Sequence, residues 1–144
     1  MTLLGATSGI VRAPDTRGGW SHQARRRCAI WIHTQDGFFS VTAFDPRIGG
    51  ERDDAADLLV IRARVREDLE RIEQWIGTEI LSTPRADYPF RVIATREAWN
   101  GYLGHATSEI DYFNFKNAVS SRLGGPRHDV LLSVWSDLRR LQGP

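Results

Sequence analysis

The stretch "AIWIHTQDGFFSVTAF", residues 29–44, decides how this chain folds, because two runs of alternating apolar and polar residues flank Asp36-Gly37. That dipeptide between alternating runs predicts a β-hairpin with a type I′ turn, in which both central residues have positive φ. A turn centred on these two residues pairs Ile32 with Val41 on the neighbouring strand. The stretch therefore predicts two antiparallel strands and their register.

The same alternation assigns the side chains of the hairpin to the two faces of a sheet. One face, which we expect to form the core, carries Ile30, Ile32, Phe39 and Val41. The opposite face, called the second face below, carries Trp31, His33 and Phe38. A third predicted strand, "LLVIRARV" at residues 58–65, adds Arg62 and Arg64 to the second face. A later strand, "FRVIATR" at residues 90–96, adds Arg91.

After the third strand the apolar residues recur every three or four positions, which predicts helices. The order β-β-β-α-β-β-α-α-α indicates an α+β protein with a mostly antiparallel sheet of about five strands and helices on one or both faces. The last predicted helix has a continuous apolar face made of Val130, Leu131, Val134, Trp135, Leu138 and Leu141. If that helix packs on the second face, Trp31 and Phe38 belong to the core; if it does not, the face is free to bind a partner.

Length and composition indicate one domain with an arm. The 144 residues are about one domain long. Residues 1–27 have no sustained period and end in three arginines, which predicts a disordered basic leader before a single α+β domain at residues 28–144. The only cysteine, Cys28, fits a reducing cytoplasm, and no apolar run reaches the roughly 18 residues that a membrane span needs. We expect a cytoplasmic protein without membrane contact.

The second face combines flat rings with guanidinium groups, which is typical of sheets that bind single-stranded nucleic acid. In such sheets bases stack on the rings and cations meet the phosphates. The net charge is only +1, so any basic site is a local patch. The predicted binding residues on this face are Trp31, His33, Arg62, Arg64 and Arg91.

The stretch "EIDYFNFKNAV", residues 109–119, contains Lys116, the only lysine in the chain. We expect Asp111 to be the N-cap of a helix whose aromatic residues pack inward. That interpretation leaves Asn114 and Asn117 unexplained, because asparagine is a poor helix former. Four residues of the stretch therefore join the predicted binding set: Asp111, Tyr112, Asn114 and Lys116.

Catalysis has weaker support than binding. The four histidines include His128, beside Asp129, and His33 on the second face. Either imidazole is a candidate for general acid-base chemistry in a metal-free phosphodiesterase or nuclease. We expect no metal site, because the histidines and the single cysteine lack ligand spacing. Neither a phosphate-binding loop nor a dinucleotide fingerprint occurs, so we expect no cofactor.

Several motifs together resemble a group of small bacterial proteins of uncharacterised function. They are "WIHTQDGFFSV", "IRARV", "TPRADYPFRV", "EIDYFNFKNAV" and "RHDVLLSVWSDLRRLQ", and they extend over roughly residues 29–142. The resemblance implies that residues 1–27 precede the common domain, and it supplies no activity. It implies importance for Asp87, Tyr88, Arg91, Asp111, Tyr112, Asn114, Lys116, His128 and Asp129.

These observations predict a binding protein rather than an enzyme. The expected target is nucleic acid, or a protein that handles it, bound through the arginine and aromatic patch. One alternative is the phosphodiesterase that uses His33 or His128. A second alternative is an inhibitor or accessory subunit that contacts only a protein, since arginine and aromatic residues also anchor protein interfaces. The sequence predicts no oligomeric state.

Overall fold

The computed structural model describes residues 29–143, and the predicted leader at residues 1–27 lies outside them. A five-stranded antiparallel sheet with the order β1-β2-β3-β5-β4 forms the centre of the fold. The strands are β1 (Ile30–Thr34), β2 (Gly37–Ala43), β3 (Leu58–Ala63), β4 (Leu81–Ser82) and β5 (Phe90–Thr95). The predicted α+β class is confirmed.

Five helices accompany the sheet in the described part of the chain. They are α1 (Pro46–Gly49), α2 (Glu67–Ile76), α3 (Arg96–Ser108), α4 (Phe115–Leu123) and α5 (Gly125–Leu138). Short 3-10 turns precede β3 and follow α5. The four longer helices are those that the apolar spacing predicts, whereas α1 is a single turn within a segment that reads as a loop.

The core lies between one face of the sheet and helices α2 and α3. Apolar residues recur at every second position of the strands and about every 3.6 positions of the helices, and this spacing directs their side chains into the same layer. Gly77 ends α2 in a left-handed conformation with φ 73°, and the Thr95 hydroxyl caps α3 by accepting from the Ala98 N–H at 3.1 Å. The buried cluster includes Phe39, Val41, Ile61, Leu69, Ile72, Val92, Trp99 and Tyr102.

The hairpin register differs from the prediction by two residues. Ile32 lies opposite Phe39, and Thr34 lies opposite Gly37, so the turn consists of Gln35 and Asp36. Neither Asp36 nor Gly37 has positive φ, which excludes a type I′ turn centred on them. A shift of two residues keeps every side chain on its predicted face, because the side-chain period of a strand is two.

Glycine is required at position 37 because the Asp68 side chain lies close to the backbone there, and not because of the turn conformation. A Cβ at this position would lie 2.5 Å from Cγ of Asp68, which no side chain could tolerate without movement. Asp68, in the first turn of α2, is almost completely buried and accepts a hydrogen bond from the Phe38 N–H at 3.1 Å. Arg127 of α5 binds the same carboxylate through two hydrogen bonds, at 2.6 and 3.0 Å. One buried carboxylate thus joins the hairpin, α2 and α5.

The turn itself is buried among polar partners. Asp36 accepts hydrogen bonds from the Tyr102 hydroxyl at 2.8 Å and from Arg71 at 2.9 Å. Arg71 also donates to Glu109 at 2.6 and 2.8 Å, and the Gln35 amide donates to the Ala106 carbonyl at 3.1 Å. A buried charge is tolerated when it is paired and hydrogen-bonded, and these contacts supply both conditions.

Helix α4 begins three residues later than predicted. Its N-cap is Asn114, whose side chain accepts from the backbone N–H groups of Lys116 and Asn117 at 3.0 and 3.3 Å. The expectation that Asp111 caps this helix is therefore wrong. The cap also explains why an asparagine stands here, since asparagine is among the preferred N-cap residues.

Helix α5 forms as predicted, but it does not cover the second face of the sheet. It packs mainly against α4, and only its N-terminal turns approach the hairpin, where Arg127 and Leu131 lie near Phe38. None of its residues is fully buried. Most of the apolar side chains that predict the helix consequently remain exposed.

We expect Arg127→Ala to lower the free energy of unfolding by about 3 kcal/mol, because it leaves the buried Asp68 carboxylate without its cation. Urea denaturation measures the change. Arg66→Ala is the control, because this exposed arginine has no side-chain partner among the described residues, and its loss should stay within about 0.5 kcal/mol. The double variant Asp68→Asn/Arg127→Met should recover part of the loss. Equal losses for Arg127→Ala and Arg66→Ala would contradict the assigned role.

We expect Asn114→Ala to cost about 1 kcal/mol through loss of the N-cap, whereas Asp111→Ala should change stability by less than about 0.5 kcal/mol. Both positions are exposed, so packing affects the comparison little. Thermal and urea denaturation of the two variants provide the measurement. A larger loss at Asp111 would show that the helix starts earlier in solution.

Candidate nucleic-acid interface

The second face of the sheet carries a chain of aromatic rings. Trp31 is 68% exposed, and its ring meets the edge of Phe38 with centroids 5.8 Å apart. The imidazole of His33 lies 4.4 Å from the ring of Phe38, and Tyr88 lies 6.4 Å from Phe38 on its far side. The face thus offers the exposed rings of Trp31 and His33, beside the half-buried Phe38 and the buried Tyr88.

Two arginines hold Tyr88 in place on this face. The guanidinium carbons of Arg62 and Arg64 lie 5.1 and 4.7 Å from the centre of the tyrosine ring, and the ring itself is buried. Arg62 also donates to the Ser40 hydroxyl at 2.8 Å. Arg64 pairs with Asp87 at 2.9 Å, but both side chains are more than half exposed, so this pair adds little stability.

The strand register places Trp31 and two arginines in one row across the second face. Trp31 lies opposite Ser40, Ser40 opposite Arg62, and Arg62 opposite Arg91. Adjacent strands are about 4.8 Å apart, so the row extends for about 14 Å from the indole to Arg91. The row contains an aromatic residue at one end and two cations at the other.

Arg62 and Arg91 face each other directly on neighbouring strands. Like charges in this position repel each other, and a sheet gains nothing structurally from the pairing. The Nε of Arg91 is buried and has no hydrogen-bond partner within residues 29–143. On the second face, the acidic residue that pairs with an arginine is Asp87, which contacts Arg64. The cationic end of the row is therefore suited to an anion.

The predicted binding residues from the other stretch lie elsewhere. Lys116 is on α4, and its ammonium lies 4.5 Å from the centre of the Trp135 ring of α5. Tyr112 contacts Phe115 with ring centroids 6.1 Å apart and lines a groove of about 270 Å³ beside β1. Asn114 is the cap of α4, and Asp111 is exposed before it. No hydrogen bond, ion pair or ring contact among the described residues joins these four to the arginine row.

The candidate catalytic histidines do not share a substrate-sized site. His33 lines a cavity of about 40 Å³ with Phe38 and Arg127, and it also lines the groove of about 270 Å³ that contains Tyr112. His128 lines neither of them, and its Nδ1 lies 3.5 Å from Asp129. Burial lowers the pKa of His33, and attraction from Asp68 opposes this shift only in part.

Sequence patterns miss four contributors to this region, although the resemblance to small bacterial proteins implies importance for one of them, Tyr88. Ser40 could have been found, because it alternates onto the same face as Phe38. Tyr88 gives a weaker signal, as a large aromatic residue in the polar segment before β5. Asp68 and Arg127 give none, since both look like solvated charges on helices.

No protein-family model, curated protein or solved structure matches this chain. The resemblance to small bacterial proteins therefore stays a prediction. Within residues 29–143, no helix is long and apolar enough to cross a membrane. The same part of the chain contains no cluster of three or more histidine, cysteine or acidic side chains that could hold a metal ion.

We expect the stability of the protein to depend on pH through His33. Its pKa in the folded protein is lowered, so the unfolded chain binds a proton first as the pH falls. The stabilisation is fully present above the unfolded pKa of about 6.5 and is lost as the pH falls toward the folded pKa. The melting temperature should therefore fall further between about pH 7.5 and about pH 5.5 in the native protein than in His33→Gln. Parallel pH profiles of the two proteins would contradict this expectation.

Proposed function

We propose that this protein binds single-stranded nucleic acid across the second face of its sheet. The observation that carries the proposal is the row of Trp31, Ser40, Arg62 and Arg91 on adjacent strands. A base stacks on the exposed indole, and phosphates of the same strand meet the guanidinium groups. The bound nucleic-acid strand runs across the sheet, roughly perpendicular to β1, β2, β3 and β5.

The electrostatics of the row support an anionic ligand. Arg62 and Arg91 are opposed like charges, and an anion between or above them turns repulsion into attraction. Guanidinium groups bind phosphate oxygens with a planar pair of donors. Arg64 can exchange its exposed partner Asp87 for a phosphate at small cost, because that ion pair is solvated.

The arrangement of the rings supports a ligand that contains bases. Trp31 is two-thirds exposed, and Phe38 holds it edge-on from one side only. Stacking on an exposed aromatic ring is tolerant of base identity, so we expect modest sequence preference. The cytoplasm, where a protein with one cysteine remains reduced, is the compartment in which we place this activity.

Helix α5 does not lie over the second face, which the proposal requires, and the ligand contacts the exposed Trp31 and the half-buried arginines while Ser40 beneath them is buried. A protein that handles nucleic acid is the alternative partner for the same patch, and salt dependence separates the two. Nucleic-acid binding weakens steeply with salt because counterions are released from the phosphates. The phosphodiesterase alternative has His33 without a second imidazole, because His128 lines neither the cavity nor the groove beside His33.

The test is fluorescence anisotropy of the full chain with labelled RNA and single-stranded DNA of about ten nucleotides. We expect Trp31→Ala to weaken binding by about 1–3 kcal/mol through loss of stacking. Arg91→Gln should weaken binding and reduce the salt slope by about one, because one phosphate contact is lost. Measurements at about 50 and about 200 mM salt give that slope.

Two control variants test whether arginines outside the second face contribute to binding. Arg96→Gln removes an exposed arginine from the start of α3, on the opposite side of the sheet, and should leave affinity nearly unchanged. A triple change of Arg25, Arg26 and Arg27 to Gln removes the basic arm. Binding that vanishes with the triple change but survives Trp31→Ala and Arg91→Gln would refute the proposed site. Absence of binding at low salt would refute the proposed function.

A further inference from the structure

Strand β1 forms one edge of the sheet, because β2 is its only neighbour among the strands of residues 29–143. Its sequence, IWIHT, contains none of the lysine, acidic or proline residues that usually keep a sheet edge from pairing. The opposite edge is β4, which has two residues and is soon followed by Pro84. The described part of the chain therefore protects one edge and leaves the other open to a further strand.

The hydrogen bonds of the hairpin show which backbone groups of β1 face this open edge. Phe38 lies opposite His33, yet its N–H donates to Asp68 and so points away from β1. His33 and Phe38 are therefore a non-hydrogen-bonded pair. Positions two apart on a strand have the same orientation, so the N–H and C=O groups of Trp31 and His33 all point outward. Within residues 29–143, no backbone partner bonds to these groups.

An apolar groove accompanies the open edge on the core side of the sheet. This is the groove of about 270 Å³, whose walls include Ile32 of β1, Leu103 and Ala106 of α3, and Ile110 after that helix. At the start of β1, Ile30 lies on the same face and is 57% exposed. One surface thus carries both an exposed isoleucine side chain and a groove large enough to receive one.

We propose that β1 pairs antiparallel with β1 of a second copy of this chain, about a two-fold axis at Ile32, so that the two sheets join. Trp31 of each copy then lies opposite His33 of the other, and each such pair exchanges both of its N–H···O bonds. Ile30 of each copy lies opposite Thr34 of the other, with its side chain at the groove. Isologous pairing of this kind uses one surface on both copies and closes at a dimer.

The pattern of β1 selects a second copy over an unrelated strand. Trp31 and His33 are symmetric about Ile32, so a copy in this register matches every outward donor with an acceptor. Because β1 has no lysine, arginine or acidic residue, self-pairing sets no such like charges against each other. Ile30 supplies the apolar side chain that fits the groove of the other copy. The surface is therefore complementary to itself.

Disulfide crosslinking of the full chain is the first part of the test, in a Cys28→Ser background that removes the only cysteine. Ile32→Cys should oxidise to a covalent dimer, because facing Cα atoms of a non-hydrogen-bonded pair lie about 4.5 Å apart. Ile30→Cys is the matched control. Position 30 is more exposed than position 32, yet its two copies lie four residues apart along the paired strands, about 13 Å, which is too far for a disulfide.

Amide hydrogen exchange and sedimentation equilibrium of the full chain are the second part. The amides of Trp31 and His33 should become protected as the protein concentration rises, whereas Ile32, which bonds within the hairpin, should be protected throughout. Ile30→Lys should raise the dimer Kd at least about tenfold, because it brings an ammonium group to the apolar groove of the other copy. Ile48→Lys, a change at an exposed isoleucine of α1, should leave the Kd unchanged.

Three results would overturn the proposal. One is a native chain that stays monomeric, and another is a dimer that crosslinks through Ile30→Cys but not through Ile32→Cys. The third is protection of the Trp31 and His33 amides at every protein concentration, because another segment of the same chain would then occupy the edge. None of these measurements uses nucleic acid, so their failure is distinct from failure of the proposed function.

Discussion

The carboxylate of Asp68 lies inside the protein at the point where three elements meet. It accepts the backbone N–H of Phe38 in β2, it belongs to the first turn of α2, and it binds Arg127 of α5 through both oxygens. Such a buried charge is tolerable only while its partners stay in place. Its approach to the backbone also requires glycine at position 37. This contact positions α2 over the hairpin and anchors α5 beside it.

A second set of charges completes the same junction. Asp36 in the turn is bound by Tyr102 of α3 and Arg71 of α2, and Arg71 continues to Glu109 after α3. Burial raises the pKa of the Tyr102 hydroxyl, which keeps it protonated as a donor to Asp36. The tip of the hairpin is therefore held within the protein by α2 and α3, although hairpin tips usually face solvent. The remainder of the sheet extends from this fixed end.

The fixed end has consequences for the surface that we consider functional. Because α5 is attached through Arg127 at its first turns, it packs along α4 and leaves the second face uncovered. Helix α5 therefore does not lie over the aromatic and arginine row, and Trp31 at one end of that row stays exposed.

The α+β class, the order of the main elements and the assignment of strand residues to faces follow from the sequence alone. The alternation of apolar residues in strands and their spacing in helices are properties of short segments of sequence. The N-cap of α3 at Thr95 and the end of α2 at Gly77 likewise depend on neighbouring residues. Part of the site follows too, since Trp31, Arg62 and Arg91 fall on one face by alternation. Residue type groups Lys116 and Tyr112 with them, but the structure places these two residues on and before α4, away from that row.

The tertiary structure decided the register of the hairpin and the position of α5. The Asp36-Gly37 signal concerns turn conformation, but Gly37 is there for the approach of Asp68, which is 31 residues away along the chain. The resulting shift of two residues is invisible to the face pattern, yet it places Trp31 rather than His33 opposite Ser40, in line with Arg62. Helix α5 has an apolar face by sequence, but a pattern cannot state what that face touches. Long-range contacts such as Asp68 with Arg127 decide this, because they depend on where two distant segments meet in space.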